Sequence, residues 1–188
     1  MAGDIANPRI WFNADCYVAP VGAGEPTDVT TAWTTADPDW AVLGLLGEDA
    51  GLVEAREVES TDHWAWGSIL VRTTRSKQKR TLKVVALENT PSVWNLVNPG
   101  STDVTNLGIT TRTVFVPTTN PMAFGFEFVD GLTIMRRVIP TAEVTEVGDI
   151  TFSDSEMAAY ELTISVYPDG DGILYKDITN DAQAFIAS

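Results

Sequence analysis

The sequence holds one cysteine, Cys16, and one histidine, His63, in 188 residues. An intramolecular disulfide is therefore excluded, and a zinc centre or a catalytic triad drawing on several such side chains has almost no material. Long apolar runs are also missing. Stretches such as Gly67–Val71 and Leu82–Leu87 are cut short by charges, well below the roughly 18 residues that a membrane span requires. No positively charged start leads into an apolar run, so the chain reads as a protein made in the cytosol. Basic residues are few: 12 Lys and Arg stand against 26 Asp and Glu, a formal charge of −14. That balance argues against wrapping nucleic acid, because phosphate binding is driven by cations that release counterions. It suits a protein that must stay soluble or repel DNA.

Nucleotide-binding signatures are missing as well. There is no Gly-x-x-x-x-Gly-Lys-Ser/Thr run, and Gly22-Ala23-Gly24 lies in a loop that no helix follows. His63, between Asp62 and Trp64, reads as a loop residue rather than a base. Asp169-Gly170-Asp171-Gly172 resembles part of a calcium loop but lacks the third ligand and the closing Glu, so a hairpin turn accounts for it better. The carboxylate pairs Glu143/Glu146 and Asp154/Glu156 reflect the density of acids rather than an acid–base couple. With no activated base in view, neither an enzyme nor a cofactor is expected.

What the sequence does contain is short β-branched and aromatic runs between Gly, Pro, Asn and Asp punctuation, the pattern of a mainly β domain. At this length one domain, 1–188, buries about 70% of its unfolded surface. Strands are expected at Arg9–Val18, Ala41–Leu46, Ser68–Thr74, Ala142–Phe152 and Met157–Tyr167. In the last, Tyr160, Leu162, Ile164 and Val166 alternate with Glu161, Thr163 and Ser165, so one face is core and the other meets water. Met122–Val129 and Leu132–Ile139 form a hairpin about Asp130-Gly131, with Glu127 diagonal to Arg136. The one confident helix is Pro91–Val97, capped by Thr90 with Pro at its first position. Long loops are expected at 19–39 and 47–62, an N-terminal arm at 1–8 and a C-terminal tail at 177–188. The 47–62 stretch reads as an exposed acidic excursion bearing Glu48, Asp49, Glu54, Glu57, Glu59 and Asp62. Arg72, Arg75, Lys77, Lys79, Arg80 and Lys83 form a basic hairpin turning near Ser76–Gln78. Six tryptophans sit mostly near strand ends or on the helix, where large rings seal a core or a subunit contact.

One ordered set of short motifs goes further. Ala19-Pro20-Val21-Gly22 is followed by Trp40, Leu43-Gly44 and Gly51, then Trp66-Gly67, Val71-Arg72 and Glu88-Asn89-Thr90. Over roughly residues 10 to 175 this order resembles the major tail proteins, or tail tube proteins, of long non-contractile-tailed phages, the siphophage type. The resemblance implies an antiparallel β-sandwich or barrel with one short flanking helix, assembled as hexameric rings around a continuous inner β-barrel. It implies stacked rings that conduct phage DNA through a lumen without specific binding. It further implies as partners other copies of the chain, a tape measure protein and tail tip or terminator proteins, in the virion tail and with no membrane. Glu161, Thr163, Ser165, Glu127 and Glu143 are then candidates for the lumen-facing strand faces. Arg72, Arg75, Lys77, Lys79 and Arg80, with Glu48, Asp49, Glu54, Glu57 and Glu59, are candidates for contacts between subunits. Ile109–Val116 and the segment after Tyr175 match no motif of that family. The tryptophans, Thr-rich loops and Asp169–Asp171 leave a second reading open, a surface or secreted β-sandwich that binds glycan or calcium.

Overall fold

The computed structural model describes residues 8–48 and 51–181. In chain order these hold β1 (Asn13–Pro20), α1 (Trp33–Ala36), β2 (Ala41–Val42), β3 (Val53–Ala65), β4 (Ile69–Ala86) and α2 (Pro91–Val97). They continue with β5 (Thr102–Asn106), β6 (Ile109–Thr113), β7 (Met122–Asp130), β8 (Thr133–Val147), β9 (Tyr160–Val166) and β10 (Lys176–Thr179). Eight strands make one open antiparallel sheet in the order β2-β1-β7-β8-β9-β4-β3, with β10 added to β8, while β5 and β6 form a separate hairpin.

β8 is the seam of this sheet. One edge pairs with β7; on the other, β10 covers Met135–Val138 and β9 covers Ala142–Val147. Pro140 falls between those two segments, beside a bulge in the β7 ladder. A bulge is where a strand can hold a residue that donates no hydrogen bond. Cys16 and Val18 of β1, Phe124, Phe126 and Phe128 of β7, Leu82 and Val84 of β4, and Leu162 and Ile164 of β9 bury together in one cluster. Their spacing of two puts them on one face of their strands. For both ends of one sheet to share that cluster, the sheet must curl around it. Helix α2 fills the concavity with Val93 and Leu96, and the Thr90 side chain accepts from the Val93 amide at its start.

The reverse face is covered only at the β1–β7–β8 end. There Ala19, Trp33, Trp40, Ala123 and Val138 form a second cluster. Trp33 stacks on Tyr17 at 4.8 Å and meets Trp40 edge-on at 4.9 Å. Beneath Trp33 lies Gly125, where even a methyl group would run into the indole.

Several expectations are changed. Residues 47–62 are not one excursion: from Val53 onward they are strand β3, laddered against β4. The basic segment does not turn at Ser76–Gln78; Lys77 is a bulge residue at φ 47, and the ribbon turns at Trp66–Ser68. The 19–39 loop yields Ala19 and Pro20 to β1 and holds the single turn α1, so a second helix joins α2. In the β7–β8 hairpin the loop is Gly131-Leu132, with positive φ at Gly131 alone, so the register moves by two and Glu127 faces Arg136 directly. That is the geometry of a II′ turn with Gly first, whereas Asp130-Gly131 would need the I′ form. The shift is even, so every side chain keeps its expected face. Three residues of the expected tail, Asp177–Thr179, belong to strand β10; residues 1–7 of the expected arm and 182–188 of the tail lie outside the described residues.

Gly125→Ala should lower stability by about 1–3 kcal/mol through overpacking against Trp33. The measurement is a shift in urea midpoint at unchanged m-value. A variant as stable as the parent would mean that the indole does not pack on this strand.

Candidate assembly surfaces

The Leu43-Gly44 and Glu88–Thr90 motifs meet in space. Leu43 donates its amide to the Cys16 carbonyl at 2.8 Å, and Thr90 Oγ1 donates to the Leu43 carbonyl at 2.9 Å. The Glu88 carboxylate accepts from the Leu45 amide at 3.1 Å, and the Leu87 and Gly47 amides donate to the Leu45 and Val85 carbonyls. Asn89 accepts from Arg112 at 2.9 Å, and the Trp40 indole donates to the Gly24 carbonyl. These residues hold the start of α2 and the edge of the core. Their role is architectural.

The uncovered face belongs to β8, β9, β4 and β3. Register puts Glu143 opposite Ser165 and, across a bulge, Glu146 opposite Thr163; Thr81, Lys83 and Val85 of β4 then oppose Ser165, Thr163 and Glu161. Glu143, Glu161, Thr163 and Ser165 therefore share one side of the sheet. Ser165 is buried, 3% exposed, and bonded to Thr145 at 3.0 Å. Glu143 accepts from the Asn120 amide at 2.9 Å. Glu161 and Lys83 approach at 3.4 Å, both about half exposed, a pairing of small energetic weight in water. Glu146, an acid at the same level, joins this face because the bulge at Thr145 resets the alternation, which spacing alone does not reveal.

Glu127 lies elsewhere. It is on the same side of the sheet but under the 21–40 segment, where its carboxylate takes a 2.5 Å bond from Arg136 Nε and a 3.2 Å bond from the Trp33 indole. Arg136, itself buried, also donates to the Asp28 and Thr31 carbonyls. Asp28 is fixed in turn by the amides and hydroxyls of Thr31 and Thr30, which hold its pKa below the usual carboxylate range. Glu127 thus closes a buried network within the chain.

The β3–β4 ribbon extends past the end of β9, and its strands bring the two expected charge clusters together inside one molecule. Lys79 stands opposite Glu57, Glu59 reaches Lys77 at 3.1 Å, and Glu54 reaches Arg80 at 2.9 Å. Arg72 and Arg75 stand opposite His63 and Ser60. Glu48 is exposed, and Asp49 lies outside the described residues. At the tip Trp66 is fully exposed, with Trp64, Ile69 and Val71 mostly so. Where the ribbon joins the body, Glu54 also binds Arg137 at 2.7 Å, Arg137 grips Asp177 of β10 through two bonds, and both Arg80 and Arg137 lie over the Tyr175 ring. Long-range pairs of this kind carry no local sequence signal.

The remaining candidates have structural duties. His63 meets Thr74 at 3.0 Å across the ribbon. Asp169 caps its own turn, accepting from the Asp171 and Ile173 amides. Among the described residues no group of three or more His, Cys, Asp or Glu could hold a metal ion, and no helix is long and apolar enough to cross a membrane.

The family described as phage tail tube protein matches residues 1–187. The chain belongs to the phage tail tube protein family. No curated protein matches the sequence. Phage tail tube proteins are structural rather than enzymatic, and membership places this chain in the virion tail as a tube subunit.

The Glu54 network makes stability depend on pH. Burial disfavours the charged carboxylate, but hydrogen bonds from Arg56 and Arg137 outweigh it and hold Glu54 below its ordinary 4.5. A depressed folded-state pKa contributes stability above the unfolded value and loses it as pH falls through the folded one. Glu54→Gln should cost about 1–3 kcal/mol at pH 7, and the gap to the parent should narrow as pH drops below about 4. A gap constant with pH would mean that Glu54 contributes nothing as a charge.

Proposed function

We propose that the protein is the major tail tube subunit of a siphophage-type tail, polymerising as stacked hexameric rings that conduct phage DNA to the host. The observation that carries this reading is the β8–β9–β4–β3 face, polar and uncovered, ending on β3, an edge strand with no further partner among the described residues. An open edge of that length is a template for pairing with another chain. Closing it against the next copy joins six sheets into one barrel and turns their uncovered faces inward.

Glu143, Glu146, Glu161 and Thr163 then line the channel, with Ser165 packed at its wall. A lumen with excess carboxylates repels passing phosphates, and each phosphate it failed to bind would be one less brake on transit. The ribbon, with Arg72, Arg75, Lys77 and Lys79 along β4 and Glu57 and Glu59 along β3, extends beyond the ring and meets neighbouring copies. Arg80 and Glu54 stay at its base and fix its angle. A tape measure protein would occupy the lumen before DNA does, and tip and terminator proteins would close the two ends. No catalysis or cofactor enters.

Negative-stain electron microscopy over a concentration and salt series should show six-fold rings or hollow tubes; particles that remain monomeric even on a tail tip complex would contradict the reading. Tubes of the parent should leave DNA in the supernatant on co-sedimentation. Tubes of Glu143→Lys/Glu146→Lys/Glu161→Lys should retain it at low salt and release it as the Debye length falls to about 3 Å at 1 M. Equal retention by parent and variant would remove these residues from the lumen.

A further inference from the structure

The β5–β6 hairpin has no place in the sheet. It is exposed along both strands, and among the described residues it pairs with no third strand. An isolated two-stranded hairpin is marginal in water. Arg112 ties this one to the body, lying over the Trp94 ring at 5.1 Å and donating to Asn89. Arg112 stands opposite Asp103, and Thr105 bonds Thr110 on the same face. The other face and the tip carry Val104, Ile109 and Leu107, each at least 63% exposed, with Leu107 at 96%. Val114, Phe115 and Val116, which follow β6 in sequence, are exposed as well.

Charge indicates what covers it. From Ser101 to Thr119 the only charged residues are Asp103 and Arg112, which face one another, whereas the whole chain carries −14. A nucleic acid or an anionic membrane would call for free cations on this surface. Two strongly acidic copies of one chain repel wherever their charged surfaces meet, and a neutral apolar arm is where they can touch without that cost. We propose that the β5–β6 hairpin is an assembly arm whose Val104–Leu107–Ile109 surface docks on a second copy of this chain. The proposal rests on the tube reading for the presence of many copies; the arm's neutrality and exposure stand apart from it.

The test uses the full chain carrying Leu107→Cys. Cys16 is fully buried and its thiol pKa is raised by that burial, so the introduced thiol is the reactive one for a maleimide–benzophenone label. On illumination of concentrated or polymerised protein, the label should link one chain to another. Val104→Asp/Ile109→Asp should raise the concentration needed for polymers by about tenfold or more, with the melting of the free subunit unchanged because both side chains are exposed. Rings or tubes that form without arm-linked chains, or that tolerate the double variant, overturn the arm and leave the tube reading standing. Arm-linked dimers in protein that never forms rings or tubes support the arm and count against the tube. Labels that capture only their own chain, or only a different tail protein, overturn the arm.

Discussion

The structure depends on β8 joining the two ends of one sheet. Its first half is laddered to β7 and β10 and its second half to β9, with a bulge in the β7 ladder where the partner changes. Because the ladder continues through Pro140, the β1–β7 end and the β9–β4–β3 end cannot separate. Their apolar faces are brought around the same cluster of Phe124, Phe126, Leu82 and Ile164. Everything exposed follows from that constraint. One reverse face is covered by Trp33 and Trp40, the other stays open, and β3 is left at the edge with its ribbon extending past its neighbours.

Electrostatics sets how this framework is used. The ion pairs that matter most to the fold sit at joints: Arg136–Glu127 under the 21–40 segment and Arg137–Glu54–Arg80 where the ribbon leaves the body. Both are mostly shielded from water, so their charges are satisfied locally and little salt-screened. The pairs along the outer ribbon and on the open face are exposed and individually weak. A chain of −14 thus keeps its firm pairs inside and leaves an acidic excess facing outward, where it governs what can approach.

Much of this was legible in the sequence, for identifiable reasons. Helix α2 has the expected bounds, since Thr90, Pro91 and the Val93–Trp94–Val97 spacing act locally. The apolar buried set of β9 follows strict alternation, and Ser165 on the opposite face is buried as well. The order of glycine and tryptophan motifs identified the family, and two of those motifs, Leu43-Gly44 and Glu88–Thr90, meet at the joint between Leu43 and α2. What escaped was non-local. A bulge at Lys77 looks like a turn in one dimension, so the acidic stretch after Val53 read as a loop instead of the strand paired with it. Glu127 read as water-facing because its strand alternates, yet a loop from ninety-odd positions earlier folds over it. The hairpin arm carried no motif at all, its strands being short, Thr-rich and closed by Leu107-Gly108.

On the tube reading, the uncovered β8–β9–β4–β3 face becomes the wall of a channel when β3 pairs with another chain. A cryo-electron microscopy map of the polymer or the virion tail decides this. In it β3 should be hydrogen-bonded to a neighbouring subunit, with Glu143, Glu146 and Glu161 pointing into the lumen. A map that places those carboxylates on the outer wall, or leaves β3 unpaired between subunits, would contradict it.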